Sequence, residues 1–150
     1  MITTEQIKAL REETGLSIMQ CRQALEEAQG DKTKALSLLK SKGAEIASKK
    51  SDRNLGAGVV ASYIHAGDSV GAMVELLCET DFVAKNPEFK STAREIAMHI
   101  AAMKPENTEE LLAQPFIKGP SETIGDMINK TIQKFGERTE IGNFVRFSIN

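Results

Sequence analysis

The side chains able to do chemistry in this sequence are few and scattered. His65 and His99 fall on an expected strand and an expected helix, with no cysteine or carboxylate at metal-ligand spacing, so a zinc or iron site is not indicated. Cys78 with one of these histidines would be the minimal thiol nucleophile pair. It stands, however, on the apolar face of its strand, where cysteine commonly serves as a small hydrophobe. Glu79 and Asp81 flank Thr80 at a strand's end, where solvated acids are ordinary and paired acid–base work is not implied. Gly56-Ala57-Gly58 lacks the third glycine and the preceding strand of a dinucleotide loop, and no Gly-Lys-Ser/Thr occurs anywhere. The chain is therefore expected to be no enzyme, to bind no nucleotide directly, and to hold neither a metal nor another cofactor.

What remains unusual is Thr80-Asp81-Phe82-Val83-Ala84-Lys85-Asn86-Pro87, which runs from a strand end to a helix cap. It puts a large aromatic, Phe82, and an apolar Val83 into a connection that ought to be polar. Either Phe82 packs down onto the following helix near Phe89, as a staple would, or it projects from a rigid hairpin end into a partner. Spacing alone favours the first.

The elements that must position this segment fall into two parts. Thr3 with Gln6, and Ser17 with Gln20, are capping-box pairs that open two helices. Ile7 and Leu10 give the first an apolar edge, which Gly15 ends. Cys21, Ala24, Leu25 and Ala28 form the face of the second, which Gly30 closes. Asp31 caps a third helix with Ala35, Leu36 and Leu39 inward and Gly43 at its end. A three-helix bundle over 1–43 follows, with a small and marginal core. Residues 44–54 mix Lys49, Lys50 and Arg53 with Glu45 and Asp52 and read as a linker or an exposed helix.

The period then changes to two. Val60, Ser62 and Ile64 alternate with Val59, Ala61 and Tyr63. Ala66-Gly67-Asp68-Ser69 turns the chain, and Val70, Ala72, Val74, Leu76 and Cys78 line one face of a second strand. Asn86 and Pro87 open a helix whose stripe is Phe89, Ala93, Ile96, Ala97, Ile100 and Met103. Ser121 starts another, with Ile124, Ile128, Ile132 and Phe135 inward and Gly136 at its end. From Ile141 the tail alternates through Val145, Phe147 and Ile149, a last strand. Residues 55–150 thus form a layer of antiparallel sheet covered by helices, and the chain as a whole is α+β.

Composition narrows the function. The 150 residues carry a net charge of -2, which gives no electrostatic drive toward a phosphate backbone, so nucleic acid is not an expected partner. No apolar run approaches the roughly 20 residues of a bilayer span. Met1-Ile2-Thr3-Thr4-Glu5 lacks the features of a signal peptide. Two cysteines are too few for a disulfide scaffold. A cytoplasmic protein without a membrane partner is expected.

Two linked motifs resemble those of the translation elongation factor Ts family. One is Thr80-Asp81-Phe82-Val83-Ala84-Lys85 after Cys78-Glu79. The other comprises Leu10-Arg11, Thr14-Gly15, Met19, Cys21, Ala24-Leu25 and Gly30-Asp31. Both occur in the right order, and the resemblance covers essentially the whole chain. It implies an N-terminal bundle like a ubiquitin-associated (UBA) domain, docking on the GTPase domain of elongation factor Tu through Lys8, Arg11, Ile18 and Met19. Ile18 stands where the family often has methionine, a swap of similar volume that keeps an apolar contact.

The same resemblance makes Thr80, Asp81, Phe82 and Val83 the exchange motif, which promotes GDP release by displacing Mg2+ and disturbing the phosphate site. The setting it implies is the bacterial cytoplasm or an organelle's matrix. Many relatives carry a second sheet subdomain and a helical hairpin, which this length is not expected to hold together, and the resemblance implies that short members dimerise instead. The strand Phe144 to Ile149 or the hairpin edge would then pair with a second copy. The alternative is a UBA-like interaction module without exchange activity. Against its ubiquitin-binding form, the loop reads Thr14-Gly15-Leu16 rather than Met-Gly-Phe or Met-Gly-Tyr.

Overall fold

The computed structural model describes residues 1–149. Local signals account for the bundle. Helix α1 (Thr4–Thr14) is opened by the Thr3–Gln6 capping box and ended by Gly15 at φ 70, the left-handed conformation that a residue without Cβ adopts freely. Helix α2 (Ile18–Glu27) starts on the Ser17–Gln20 box. Its end is sealed by the Gly30 amide, which donates to the Leu25 carbonyl at 2.8 Å. Leu10, Leu16, Cys21, Leu25, Ala35 and Leu39 close a small core between the three helices.

Helix α3 (Lys32–Lys49) corrects one expectation: it does not stop at Gly43 but runs across the expected boundary to Lys49. A glycine inside a helix weakens it without ending it, and here packing decides. A Cβ on Gly43 would lie 2.8 Å from Gln133 Oε1, so the missing side chain lets α3 approach a helix of the second part. Ile46 and Ala47, beyond that glycine, pack on the second part's core. Helix α3 therefore serves both cores.

Strands β1 (Ala57–Ile64), β2 (Val70–Cys78) and β5 (Glu140–Ser148) form one antiparallel sheet in the order β1-β2-β5. Its inner face carries Ala61, Ala72, Val74, Leu76, Cys78 and Ile141 against α5 (Pro87–Met103), and α7 (Ile124–Phe135) adds Ile124, Ile128 and Ile132 to the same core. Between β2 and α5 lies one helical turn, α4 (Asp81–Ala84). Between α5 and α7 come α6 (Thr108–Ala113) and a small ribbon of β3 (Pro115–Phe116) and β4 (Gly119–Thr123).

Three sequence expectations change here. Helix α7 is capped by Thr123 with Asp126 in a capping box, whereas Ser121 lies in β4. Met103 is 41% exposed, and the last turns of α5 bury His99 and Ala101 instead. Strand β5 does not keep one parity. It pairs Ile141 with Leu76 but Phe144 with Val74, so Gly142 and Asn143 together face Glu75 in a bulge. A Cβ on Gly142 would meet Glu75 Oε1 at 2.7 Å, and the Asn143 amide donates to that same oxygen at 2.7 Å. The bulge turns Val145 and Phe147 outward, so the sheet's outer face displays Val60, Ile64, Met73, Val145 and Phe147, all exposed.

Candidate functional site

The distinctive segment forms directly where β2 ends. Thr80 is extended and caps α4, its hydroxyl accepting the Val83 amide at 3.4 Å. A four-residue helix has almost no stability of its own, so its neighbours must hold it. Val83 and Ala84 are buried in the sheet's core, while Thr80 and Asp81 stay exposed and Phe82 is 88% exposed. Phe82 thus does not pack on Phe89. Phe89 is fully buried and meets Phe135 edge to face, ring centroids 6.0 Å apart. Of the four motif residues, Val83 is an anchor and Phe82 is the projecting group.

A second layer of contacts fixes the turn from the far end of α7. Gly136, left-handed at φ 72, ends that helix and is followed by Glu137 and Arg138. Glu137 Oε1 accepts the amides of Glu79 at 3.1 Å and Thr80 at 3.0 Å, and its Oε2 accepts the Thr80 hydroxyl at 2.7 Å. The Arg138 amide donates to Glu79 Oε2 at 2.6 Å, and Arg53 pairs with the other oxygen of Glu79 at 3.4 Å. Sequence reading passed over Glu137 and Arg138. Their partners lie 57 to 59 positions away, and only the helix stop at Gly136 hinted that the chain turns there.

Cys78 sits buried beneath this turn. Its Sγ donates to the Thr80 carbonyl at 3.3 Å. Burial, then the negative charge of Glu137, push the thiol's pKa up. A thiol so protonated is a poor nucleophile. His65 is exposed beside Tyr63, its Nδ1 3.0 Å from the phenol oxygen. His99 is buried and structural: its Nδ1 accepts the Ile117 amide at 3.2 Å, and Nε2 lies 2.9 Å from Gln114 Oε1. Among the described residues no group of three or more His, Cys, Asp or Glu is placed to hold a metal ion. No described helix is long and apolar enough to cross a membrane.

The second set of expected contact residues sits on the bundle. Lys8 and Arg11, one turn apart, are exposed on α1. Across the short connection, Ile18 and Met19 open α2 at 57% and 77% exposure. Two adjacent large apolar side chains in solvent at a helix start are unlike the bundle's leucines, of which Leu10, Leu16, Leu25 and Leu39 are buried. A cleft between α3 and α7, lined by Leu36, Lys40, Asn129 and Lys130 among others, holds none of these residues and neither cysteine nor histidine.

A clamped turn in one part holds out an aromatic, and a capped helix in the other presents two large apolar side chains to solvent. A family model described as Elongation factor TS matches residues 79–150. Elongation factor Ts of Carboxydothermus hydrogenoformans is 42% identical over 194 aligned positions, covering 99% of this chain and 89% of the relative. Those of Thermodesulfovibrio yellowstonii and Oleidesulfovibrio alaskensis are each 37% identical, over 99% of this chain and 96% and 98% of their own lengths. The chain belongs to the elongation factor Ts family, and its role is that of a translation elongation factor. With 194 aligned positions against 150 residues, at least 44 alignment positions have no counterpart here.

Proposed function

We propose that the chain is a guanine-nucleotide exchange factor for elongation factor Tu and makes or breaks no covalent bond. The observation that carries this reading is Phe82, 88% exposed on a turn whose next two residues are buried. Lys8, Arg11, Ile18 and Met19 dock the bundle on the partner's GTPase domain. Asp81 and Phe82 enter near the magnesium and phosphate end of its nucleotide site, with Thr80 and Val83 holding them.

A GTPase grips phosphate and Mg2+ through a loop and switch segments in fixed geometry. A wedge that moves those elements by roughly an ångström displaces the ion and weakens the phosphate site. By reciprocity, nucleotide weakens binding of the factor by the same factor. Nucleotide and metal belong to the partner, so this chain needs no cofactor. It works in the cytoplasm of a bacterium, without a membrane or nucleic-acid partner.

A second copy of the chain covers the outer sheet face. Val60, Ile64, Met73, Val145 and Phe147 are exposed there, and β1 and β5 are both edge strands. Such a face and such edges favour a self-complementary pair. A monomeric mass by light scattering at working concentration would remove that part.

The main test is release of a fluorescent GDP analogue from purified elongation factor Tu. Acceleration that disappears with Phe82→Ala, in a folded chain, supports exchange and the wedge. Acceleration that survives moves the mechanism to other residues. Binding without acceleration leaves a UBA-like interaction module.

A further inference from the structure

We propose that Glu137 is the positioning residue for the Phe82 turn, and that the exchange activity proposed above depends on it although it lies outside the motif. The geometry is specific. One carboxylate gathers three donors from two consecutive residues: the Glu79 amide, the Thr80 amide and the Thr80 hydroxyl. Because the hydroxyl's proton points at Glu137, its lone pairs face the Val83 amide, and the cap that starts α4 is oriented from outside the helix. Phe82 is two residues further on. Without this anchor, the turn keeps buried Val83 and Ala84, the Arg138 bond to Glu79 and the Cys78 bond to the Thr80 carbonyl, but nothing grips the Thr80 amide or hydroxyl, and Phe82 samples more directions.

Glu137 also ties the turn to the rest of the molecule. It follows Gly136 at the end of α7, the helix that packs on α3 at Gly43 and pairs Asp126 with Lys40 at 3.3 Å. Helix α3 begins in the bundle that carries Ile18 and Met19. A continuous path of packed elements therefore runs from the proposed docking surface to the proposed wedge, and Glu137 is its last link. The partner senses the wedge's direction, so Glu137 acts after docking rather than in it.

The experiment compares Glu137→Ala and Glu137→Gln with the unaltered chain by two readouts: amide hydrogen exchange in the free protein, and nucleotide release from elongation factor Tu. A glutamine can still accept both amides and donate to the Thr80 oxygen, so it serves as the rescue. For Glu137→Ala the Glu79, Thr80 and Val83 amides are expected to exchange at least about tenfold faster, with Ile96 and Ile100 in α5 unchanged. Maximal stimulated release is expected to fall about tenfold, with the half-saturating concentration within threefold of the original. Glu137→Gln is expected to stay within threefold in both.

Unchanged amides, or loosened amides with undiminished release, would overturn the proposal. If Glu137→Ala fails to fold, Thr80→Val decides, because it removes the hydroxyl link and cap while leaving the amides: full release then overturns it. An unaltered chain that does not speed release removes the exchange reading and Glu137's part in it, while amide protection still decides whether Glu137 holds the turn.

Discussion

The two parts of this molecule reach order by different routes. In the bundle every start signal acts over three residues, Thr3 to Gln6, Ser17 to Gln20 and Asp31 to Lys34, and the core beneath is aliphatic and small. In the sheet part, the defining contacts join Thr80 to Glu137, Glu79 to Arg138 and Glu75 to Asn143, over a core with Phe89, Ile96 and Ile100 fully buried. Local order is quick to form but weakly reinforced. Long-range order is slower to form and more cooperative. The expected contact surfaces follow the same division: Ile18 and Met19 are placed by a local cap, Phe82 by residues far along the chain.

The sharpest way to break this comparison sets two phenylalanines against each other. Phe89→Ala is expected to cost about 3–5 kcal/mol, because it empties a closed site against Phe135. Phe82→Ala is expected to leave stability within about 0.5 kcal/mol, as befits an exposed side chain. Urea denaturation of both variants checks this. A large loss from Phe82→Ala would return Phe82 to the core.

Leu25→Ala comes next, at about 2–5 kcal/mol for a leucine 1% exposed. If the two cores are as separate as their residues indicate, the loss should be confined. Amides of α1 and α2 should lose hydrogen-exchange protection while those of β2 and α5 keep theirs. Equal loss in both would mean that α3 welds the parts into one cooperative unit.

Capped helices and the hairpin were legible because Thr3, Ser17, Asp31 and Asn86 act on neighbours, and alternation from Val59 to Cys78 is a local pattern. The class α+β followed from that alone. Three features were hidden for a common reason: tertiary contacts chose them. Gly43 reads as a helix stop until α7 is seen to need its bare backbone. The parity of β5 reads straight through until Glu75 claims the Asn143 amide. Thr80 to Val83 stood out as an oddity, and the family resemblance gave it meaning. That Val83 faces inward and Phe82 outward needed the structure.

His99 offers a smaller test that joins α5 to the ribbon after α6. The Ile117 amide can only donate, so Nδ1 must accept, and Nε2 carries the proton given to Gln114. Burial lowers its pKa below the ordinary 6.5, outweighing the opposing effect of the Gln114 bond. The folded state thus prefers neutral histidine. Its contribution is complete above about pH 6.5 and is lost as pH falls toward the lower folded value. The slope is at most about 1.4 kcal/mol per pH unit. Stability of the unaltered chain and His99→Gln, measured between pH 7 and about pH 5, should converge as pH falls. Parallel curves would mean that His99 does not titrate with unfolding.

The smallest expected effect is the most informative about how the two parts are joined. Gly43 lies inside α3, where alanine would favour the helix by about 0.8–1.0 kcal/mol. Against that, the new Cβ would stand 2.8 Å from Gln133 Oε1 and 3.5 Å from the Asn129 carbonyl. Only the first is too close, and it belongs to the free end of a side chain that can turn. Gln133 is nevertheless 7% exposed, so its turning costs packing of similar size. Gly43→Ala is therefore expected to shift stability by less than about 1 kcal/mol, in thermal or urea unfolding. A loss well above that would show that α3 and α7 cannot separate by even a methyl group. The bundle would then be held rigidly against the sheet, and the proposed docking and wedge surfaces would have to reach a partner as one body.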